Sequence, residues 1–298
     1  MAGELVTLDG GIQWRGLLLG TGSVYGTTKL EGLRDLPPQR GGNSPLPNRH
    51  GSYPGQRLSG DRTITWSFKV SKIALEAFGG AIDDLLRVSA PDENPVEESL
   101  VIQLDGRQVY TEARLVRRAI TADKNYLRGY VEGAVAWEST DPRLYEVSES
   151  SSSAALAVAA GGGLDFGSGG LDFGVPVTEG LDFGAGTSGG VLSAAVGGHV
   201  PTWPRFQIQG PVTGPQITYG GRTLAFDPSW TLPDGPPLII DTRPRYLSVT
   251  LNGVSQRNRL FFAQWTPFLP GVTTQVQFSA AAYSASAQLT AFWRGAIH

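Results

Sequence analysis

Few residues of this 298-residue chain stand in patterns that do chemistry. The three histidines, His50, His199 and His298, are far apart in sequence, and none has a neighbour at metal-ligand spacing. Nucleophilic catalysis needs an activated serine or cysteine beside a base. Cysteine is absent, no G-x-S-x-G elbow occurs, and serines gather at 148–153, in a stretch that reads as linker. Adjacent carboxylates stand at Asp83-Asp84, Asp92-Glu93 and Glu97-Glu98, where a glycosidase pair would be sought. They read as solvated charge at a helix end and on a polar loop. The glycine-rich GTGSVYG at 20–26 lacks the following helix and lysine that cradle a phosphate. The expectation is no catalytic residue, no metal and no cofactor.

Two patterns invite binding rather than catalysis. Trp203, Trp230, Trp265 and Trp293 could stack a sugar, or could be ordinary core residues. Galactose-type sites add a cluster of His, Asn, Arg and Glu around the tryptophan, and no strand pair carries one. The second pattern is GLDFGSGGLDFGVPVTEGLDFG at 163–184, in which LDFG occurs three times. The units are spaced by seven and then ten residues, so they are not a solenoid of fixed period. Flexible tethers are built from Gly and Ser and have no need of repeated Leu and Phe. Leu164, Phe166, Leu171, Phe173, Leu181 and Phe183 are therefore expected to dock in apolar grooves, as an interdomain strap buried on assembly.

The elements that would position these residues are mostly strands. Hydrophobic residues make up 40% of the chain, enough for two cores, while Gly (40) and Pro (20) fit a turn-rich β protein. Net charge is −3, with no basic stripe for nucleic acid, and without cysteine the fold rests on burial and hydrogen bonds. The N-terminal stretch lacks a signal-peptide pattern, and the longest apolar run, 154–160, is too short to span a membrane.

Strands are predicted at 5–8, 12–19 and 63–70, the last with Ile64, Trp66, Phe68 and Val70 on one face. Between them, 34–60 is a long aperiodic loop, of the kind that is usually functional or interface-forming. Arg34, Arg40, Arg49, Arg57 and Arg62 could pair there with carboxylates on a partner, or be merely solvated. One helix is predicted over 71–88, with Ser71 as N-cap and an apolar stripe of Leu75, Phe78, Ile82, Leu85 and Leu86. Strands at 100–104 and 108–115 flank Asp105-Gly106, a type I′ hairpin signal, and 126–137 is another strand. Eight short strands follow, at 206–208, 216–219, 223–226, 238–241, 246–251, 259–263, 274–279 and 289–293, with Asn252-Gly253 as a further hairpin turn. That spacing suggests a sandwich. The fold class is mainly β: an N-terminal β-sandwich or barrel-like domain with one helix (1–147), a Gly/Ser/Ala-rich linker with the LDFG repeats (148–190), and a C-terminal β-sandwich (191–298).

The ordered motifs resemble a known family. Gly32-Leu33-Arg34-Asp35-Leu36-Pro37, Arg40, His50-Gly51, Arg62-Thr63-Ile64 and Asp141-Pro142-Arg143-Leu144-Tyr145 are similar to the N-terminal half of the distal tail protein (Dit) of long-tailed bacteriophages. The string PTWPRFQIQG at 201–210, then Pro215, Leu238, Asp241, Arg243, Asn252-Gly253, Trp265 and Leu269-Pro270-Gly271, resembles that family's galectin-like C-terminal domain. The LDFG segment resembles a repeated linker of actinobacterial phage members. Val196-Gly197-Gly198-His199 departs from the N-x-G usual before the proline-rich stretch.

The resemblance implies a non-enzymatic hub, a homo-hexameric ring between the tail tube protein and the tail-tip hub or tail-associated protein. Receptor-binding or fibre proteins would attach to it. It implies assembly in the host bacterial cytoplasm and residence in the virion tail, with no nucleic-acid specificity and no membrane span. The alternative expectation is a carbohydrate-binding host-adhesion module of the tail tip.

Overall fold

In a computed structural model of the chain, residues 3–71, 74–93, 96–156 and 190–298 are described. The chain divides into two compact units, Met1–Ser148 with Gly295–His298, and Glu149–Arg294.

The first unit opens with β1 (Gly11–Trp14), β2 (Leu17–Gly20) and β3 (Tyr25–Glu31). Short paired segments follow: β4 (Gln39–Arg40), β5 (Ser44–Pro45), β6 (Ser52–Tyr53) and β7 (Leu58–Ser59). Then come β8 (Arg62–Val70), the helix α1 (Leu75–Val88), β9 (Glu98–Leu104), β10 (Arg107–Ile120), β11 (Val131–Ser139) and β12 (Leu144–Glu146). The main sheet is antiparallel in the order β2-β1-β9-β10-β11-β8-β3. Its two end strands, β2 and β3, are consecutive in the chain, and the Gly10 carbonyl beside them accepts from Thr21 N (3.1 Å) and Thr27 Oγ1 (3.1 Å).

Alternation decides what this sheet buries. In β8 the inward residues are Arg62, Ile64, Trp66, Phe68 and Val70. Trp14, Trp66 and Trp137 meet at its centre, with ring centroids 5.9 and 6.4 Å apart. The helix lays Phe78, Ile82, Leu85 and Val88 on this core, while Leu86 stays at its surface. Trp14 Nε1 donates to Val88 O (2.9 Å) and Arg118 to Leu86 O and Ser89 O, so the helix's last carbonyls are satisfied by side chains. The helix begins at Leu75 with Ala74 at the cap position, not with Ser71.

Three sequence expectations for this unit are revised. Residues 5–8 are irregular rather than a strand. The predicted strand 12–19 breaks at Arg15-Gly16, whose φ angles of 45° and 76° close a β1–β2 hairpin. At 126–137 a 3-10 turn, Tyr126–Arg128, precedes β11. The hairpin at Asp105-Gly106 is as expected, with φ of 54° and 69°.

The second unit contains β13 (Ser150–Ala155), β14 (Val191–Ala195), β15 (Arg205–Gln209), β16 (Val212–Thr213), β17 (Gln216–Tyr219) and β18 (Arg222–Phe226). It continues with β19 (Thr231–Leu232), β20 (Leu238–Asp241), β21 (Ser248–Leu251), β22 (Val254–Ser255), β23 (Leu260–Ala263), β24 (Thr273–Ser279) and β25 (Gln288–Trp293). Two antiparallel sheets, β13-β25-β15-β20-β21-β22 and β14-β24-β17-β18-β23, face each other over one core. Phe206, Ile208, Ile240, Val249 and Leu289 from one sheet interlock with Ile217, Tyr219, Leu224, Phe226 and Phe278 from the other. Phe206, Tyr219 and Phe268 pack edge to face at the centre, 5.0 to 6.2 Å apart. All eight predicted strands are present in this β-sandwich, and Asn252-Gly253 makes its turn with φ of 48° and 78°.

The described ends of the expected linker tell a different story from a tether between domains. The serine-rich 150–155 is β13, paired along its whole length with β25, and Leu156 is buried. Both flanks of 157–189 thus belong to the sandwich unit. The last strand, β26 (Ala296–Ile297), pairs with β12 in the first unit.

Candidate assembly interface

Among the described residues of the first unit, an arm runs between β3 and β8. Its base is fixed by backbone geometry. Gly32 has φ of +82°, and a Cβ there would lie 1.9 Å from Thr63 O, so the arm departs at a position only glycine fills. Asp35 Oδ2 accepts from Gly32 N at 2.8 Å and tightens the turn. The arm then runs out as a ribbon: β4 pairs with β7, β5 with β6, and Leu46 N bonds Gly51 O at the tip (3.1 Å). Between the two pairings the strands touch backbone to backbone. A Cβ on Gly55 would sit 1.8 Å from Gly42 O, and Gly55 N donates to Asn43 Oδ1 at 3.1 Å.

Such a ribbon has no core of its own. Leu36, Tyr53 and Leu58 are 79%, 61% and 49% exposed. Residues 36–60 hold three arginines, one histidine and no acidic residue, in a chain whose net charge is −3. Arg40, Arg49 and Arg57 are exposed, and none pairs with a carboxylate among the described residues; His50 lies at the tip.

The five arginines singled out in sequence therefore separate. Arg40, Arg49 and Arg57 stand together on the arm. Arg34 ion-pairs with Asp105 of the β9–β10 turn, both side chains well exposed. Arg62 departs from the expectation of a partner-facing cation, because it is 1% exposed. Its Nε donates to Pro142 O (2.7 Å) and its Nη1 to Gly32 O (2.6 Å), Leu33 O (3.1 Å) and Asp35 O (3.1 Å). It clamps the arm's outgoing strand to its return and to the 141–145 stretch. Burial pushes its guanidinium pKa down, partly offset by Asp35. The alternation of β8 carried this signal, since Arg62 lies two residues before inward Ile64.

Other flagged residues have structural work. Asp141 accepts from Arg143 N (3.1 Å) and Tyr145 Oη (2.6 Å), and burial with the Asp141 charge pushes the Tyr145 hydroxyl far above its ordinary range. Arg15 is bracketed by Asp92 and Glu98, Glu97 accepts from Thr140 N (2.8 Å), and Asp84 pairs with Arg87 (2.9 Å). Every tryptophan is buried or half-buried: Trp293 donates to Ala195 O (3.0 Å) and Trp230 stacks on Phe226 at 5.3 Å. None stands out as an exposed stacking platform. Among the described residues no group of three or more metal-ligating side chains converges. No helix among them is long and apolar enough to cross a membrane. Leu164, Phe166, Leu171, Phe173, Leu181 and Phe183 lie outside the described residues.

No family model matches the sequence, and no curated protein matches it. The crystal structure of the Dit protein of phage SPP1, titled a paradigm of hub adsorption apparatus in phages infecting Gram-positive bacteria, superimposes with a TM-score of 0.62. The match covers 96% of this chain and 98% of that one, at 12% identity. The chain has the Dit fold. Two structures of the phage P2 baseplate in its activated conformation are also similar. The one with Ca is 13% identical over 93% of each chain, with a TM-score of 0.49. The one with Sr is 11% identical over 95% of this chain and 96% of that one, with a TM-score of 0.47.

Proposed function

We propose that the chain is a structural hub subunit of a bacteriophage tail tip, resident in the virion and without catalytic activity. The observation that carries this reading is the end-to-end match to the SPP1 Dit hub, which spans both units of this chain rather than one generic sandwich. In the proposed assembly six copies close a ring between the tail tube and the tip proteins, with fibre or receptor-binding proteins attached.

A closed ring repeats one heterologous contact, in which a patch on each copy meets a different patch on the next. The arm suits the donating side of such a contact. It is a preformed ribbon, so little ordering entropy is lost on docking. Its five prolines at 37, 38, 45, 47 and 54 limit its conformations further. Arg40, Arg49 and Arg57 would meet carboxylates on the neighbouring subunit, where guanidinium forks bind bidentately.

The test is particle mass combined with negative-stain imaging of the purified chain, alone and with the tail tube protein. Ring particles with the mass of six chains support the hub. A monomer under both conditions counts against it.

A further inference from the structure

The edge strand β23 is open along one side among the described residues. It bonds β18, with Ala225 opposite Phe262 and Leu224 opposite Ala263, and no described strand pairs with its other side. The bonding to β18 continues past both ends of the strand, where Asp227 N donates to Arg259 O (3.0 Å) and Gln264 N to Thr223 O (2.9 Å). The open side therefore runs from Arg259 to Gln264, the length of an ordinary strand. Natural sheet edges are usually kept short, or blunted by charge or proline. The facing sheet follows that rule, since its edge strand β22 is only Val254–Ser255. Leu260–Ala263, LFFA, has neither charge nor proline. Its one irregularity is a bulge that leaves Phe261 unopposed. Bulges re-aim side chains, and here two consecutive rings, Phe261 and Phe262, stand 79% and 47% exposed.

Cations gather beside this edge. Residues 222–227 and 256–266 hold three arginines, all exposed, and one acid, Asp227. Asp227 is already engaged, accepting from Ser229 N (2.9 Å) and Ser229 Oγ (2.7 Å). Arg257 is held in place, because its Nη1 donates to Leu247 O and its guanidinium lies 5.9 Å from the Trp265 ring centroid. Arg259 immediately precedes the strand.

These features select the occupant. Unpaired main-chain N–H and C=O groups are matched by another extended polypeptide. A nucleic acid or a polyanionic glycan would meet the arginines and leave the strand's backbone and rings uncovered. A second copy of β23 brings the same excess of arginine, and like charges brought together across an interface cost affinity. Carboxylates on a different chain turn that repulsion into attraction.

We propose that the free side of β23 is a docking edge for an extended acidic segment of a different protein, which adds to the sheet as a further strand. Apolar side chains of the segment cover Phe261 and Phe262, and its carboxylates meet Arg257 and Arg259. Main-chain pairing supplies the affinity, and the rings and arginines fix the register. The inference rests on the second unit alone and stands whether or not the chain forms a ring.

Fluorescence anisotropy of the full chain with a labelled probe tests it, the probe being a short peptide in which Asp alternates with Val and Phe. Saturable binding is expected, weakening as salt rises. Two variants change exposed positions only: F261S/F262T and R257E/R259E. Each is expected to bind the probe about tenfold more weakly, with its melting temperature unchanged. The same peptide with its backbone amides N-methylated keeps its charge but loses its strand-pairing donors, and is expected not to bind. No saturable binding of the probe overturns the proposal. Unweakened binding by both variants, or by the methylated peptide, also overturns it, since the contact would then lie elsewhere or rest on charge alone. Self-association of the chain that F261S/F262T abolishes overturns it too, because the occupant would be a second copy.

Discussion

At the residue scale, Arg62 holds the account together. It is a buried cation with no carboxylate in contact, bonded to four carbonyls, three where the arm leaves (Gly32, Leu33 and Asp35) and one on Pro142. Replacing it by Met leaves those carbonyls unpaired, and each lost bond to a charged group costs about 1.5–3 kcal/mol. Arg62→Met is expected to lower stability by at least about 3 kcal/mol, seen as a lower urea midpoint at unchanged m-value. A change within 0.5 kcal/mol (about the surface-substitution scatter) would remove the clamp from the account. Arg62 was legible as an arginine near an interface loop, and its burial was legible only in the alternation of its own strand. Its role needs Gly32 and Pro142, brought to it by pairings no local pattern contains.

Three tyrosines set a pH response at the same scale. Tyr25 Oη donates to Ala81 O (2.7 Å), and burial pushes its pKa up to about 12. Tyr145 and Tyr219 are pushed further in the same direction, chiefly by burial. Above pH about 10 the unfolded chain loses these protons while the folded chain keeps them, so stability falls as pH rises. For Tyr25 the fall runs from its ordinary value of 10.0 to about 12. Denaturation midpoints measured across that window should drop in the wild type. In Tyr25→Phe the drop should be smaller.

At the element scale, the arm and the helix make opposite predictions. Beyond Leu33 and Pro37 at its base the arm contributes no buried side chain, and its shape comes from strand pairing and glycine contacts. Deleting 41–56 and joining the stem is expected to leave the first unit's thermal transition in place while abolishing ring formation. Rings that persist without the arm would show the contact lies elsewhere. In the helix, Gly79 and Gly80 face open space, with nothing within 4 Å of a Cβ on either. Ala is favoured over Gly in a helix by about 0.8–1 kcal/mol. Gly79→Ala and Gly80→Ala should each raise the melting temperature of the isolated chain, measured by calorimetry.

The sequence disclosed elements unevenly, for physical reasons. The sandwich strands were readable because each has a buried face and a turn signal at its end. Phe206 with Ile208, and Val276 with Phe278, show the period of two directly. β13 was not readable: Ser150–Ala155 has no β-forming residue, and it is a strand because β25 offers it an edge. The arm was legible as a long irregular loop with exposed arginines, but not as a ribbon. Its paired segments are two residues each, below any period, and glycine contacts rather than side chains hold them.

At the scale of the whole molecule, the chain forms two β units, and its last residues belong to the first. β13 follows the first unit into the second, and β26 returns the chain end to the first. That return was invisible in sequence, since two residues carry it. The domain order and the resemblance were visible because turn and strand signatures recur in a fixed order along the chain. The central claim is that this architecture serves a ring-forming hub. It is tested most directly by imaging and weighing particles of the full chain in the presence of its tail tube protein. The account predicts closed rings with six-fold symmetry and the mass of six chains, lost when 41–56 are removed. A monodisperse monomer that neither closes into rings nor binds the tube protein would contradict it.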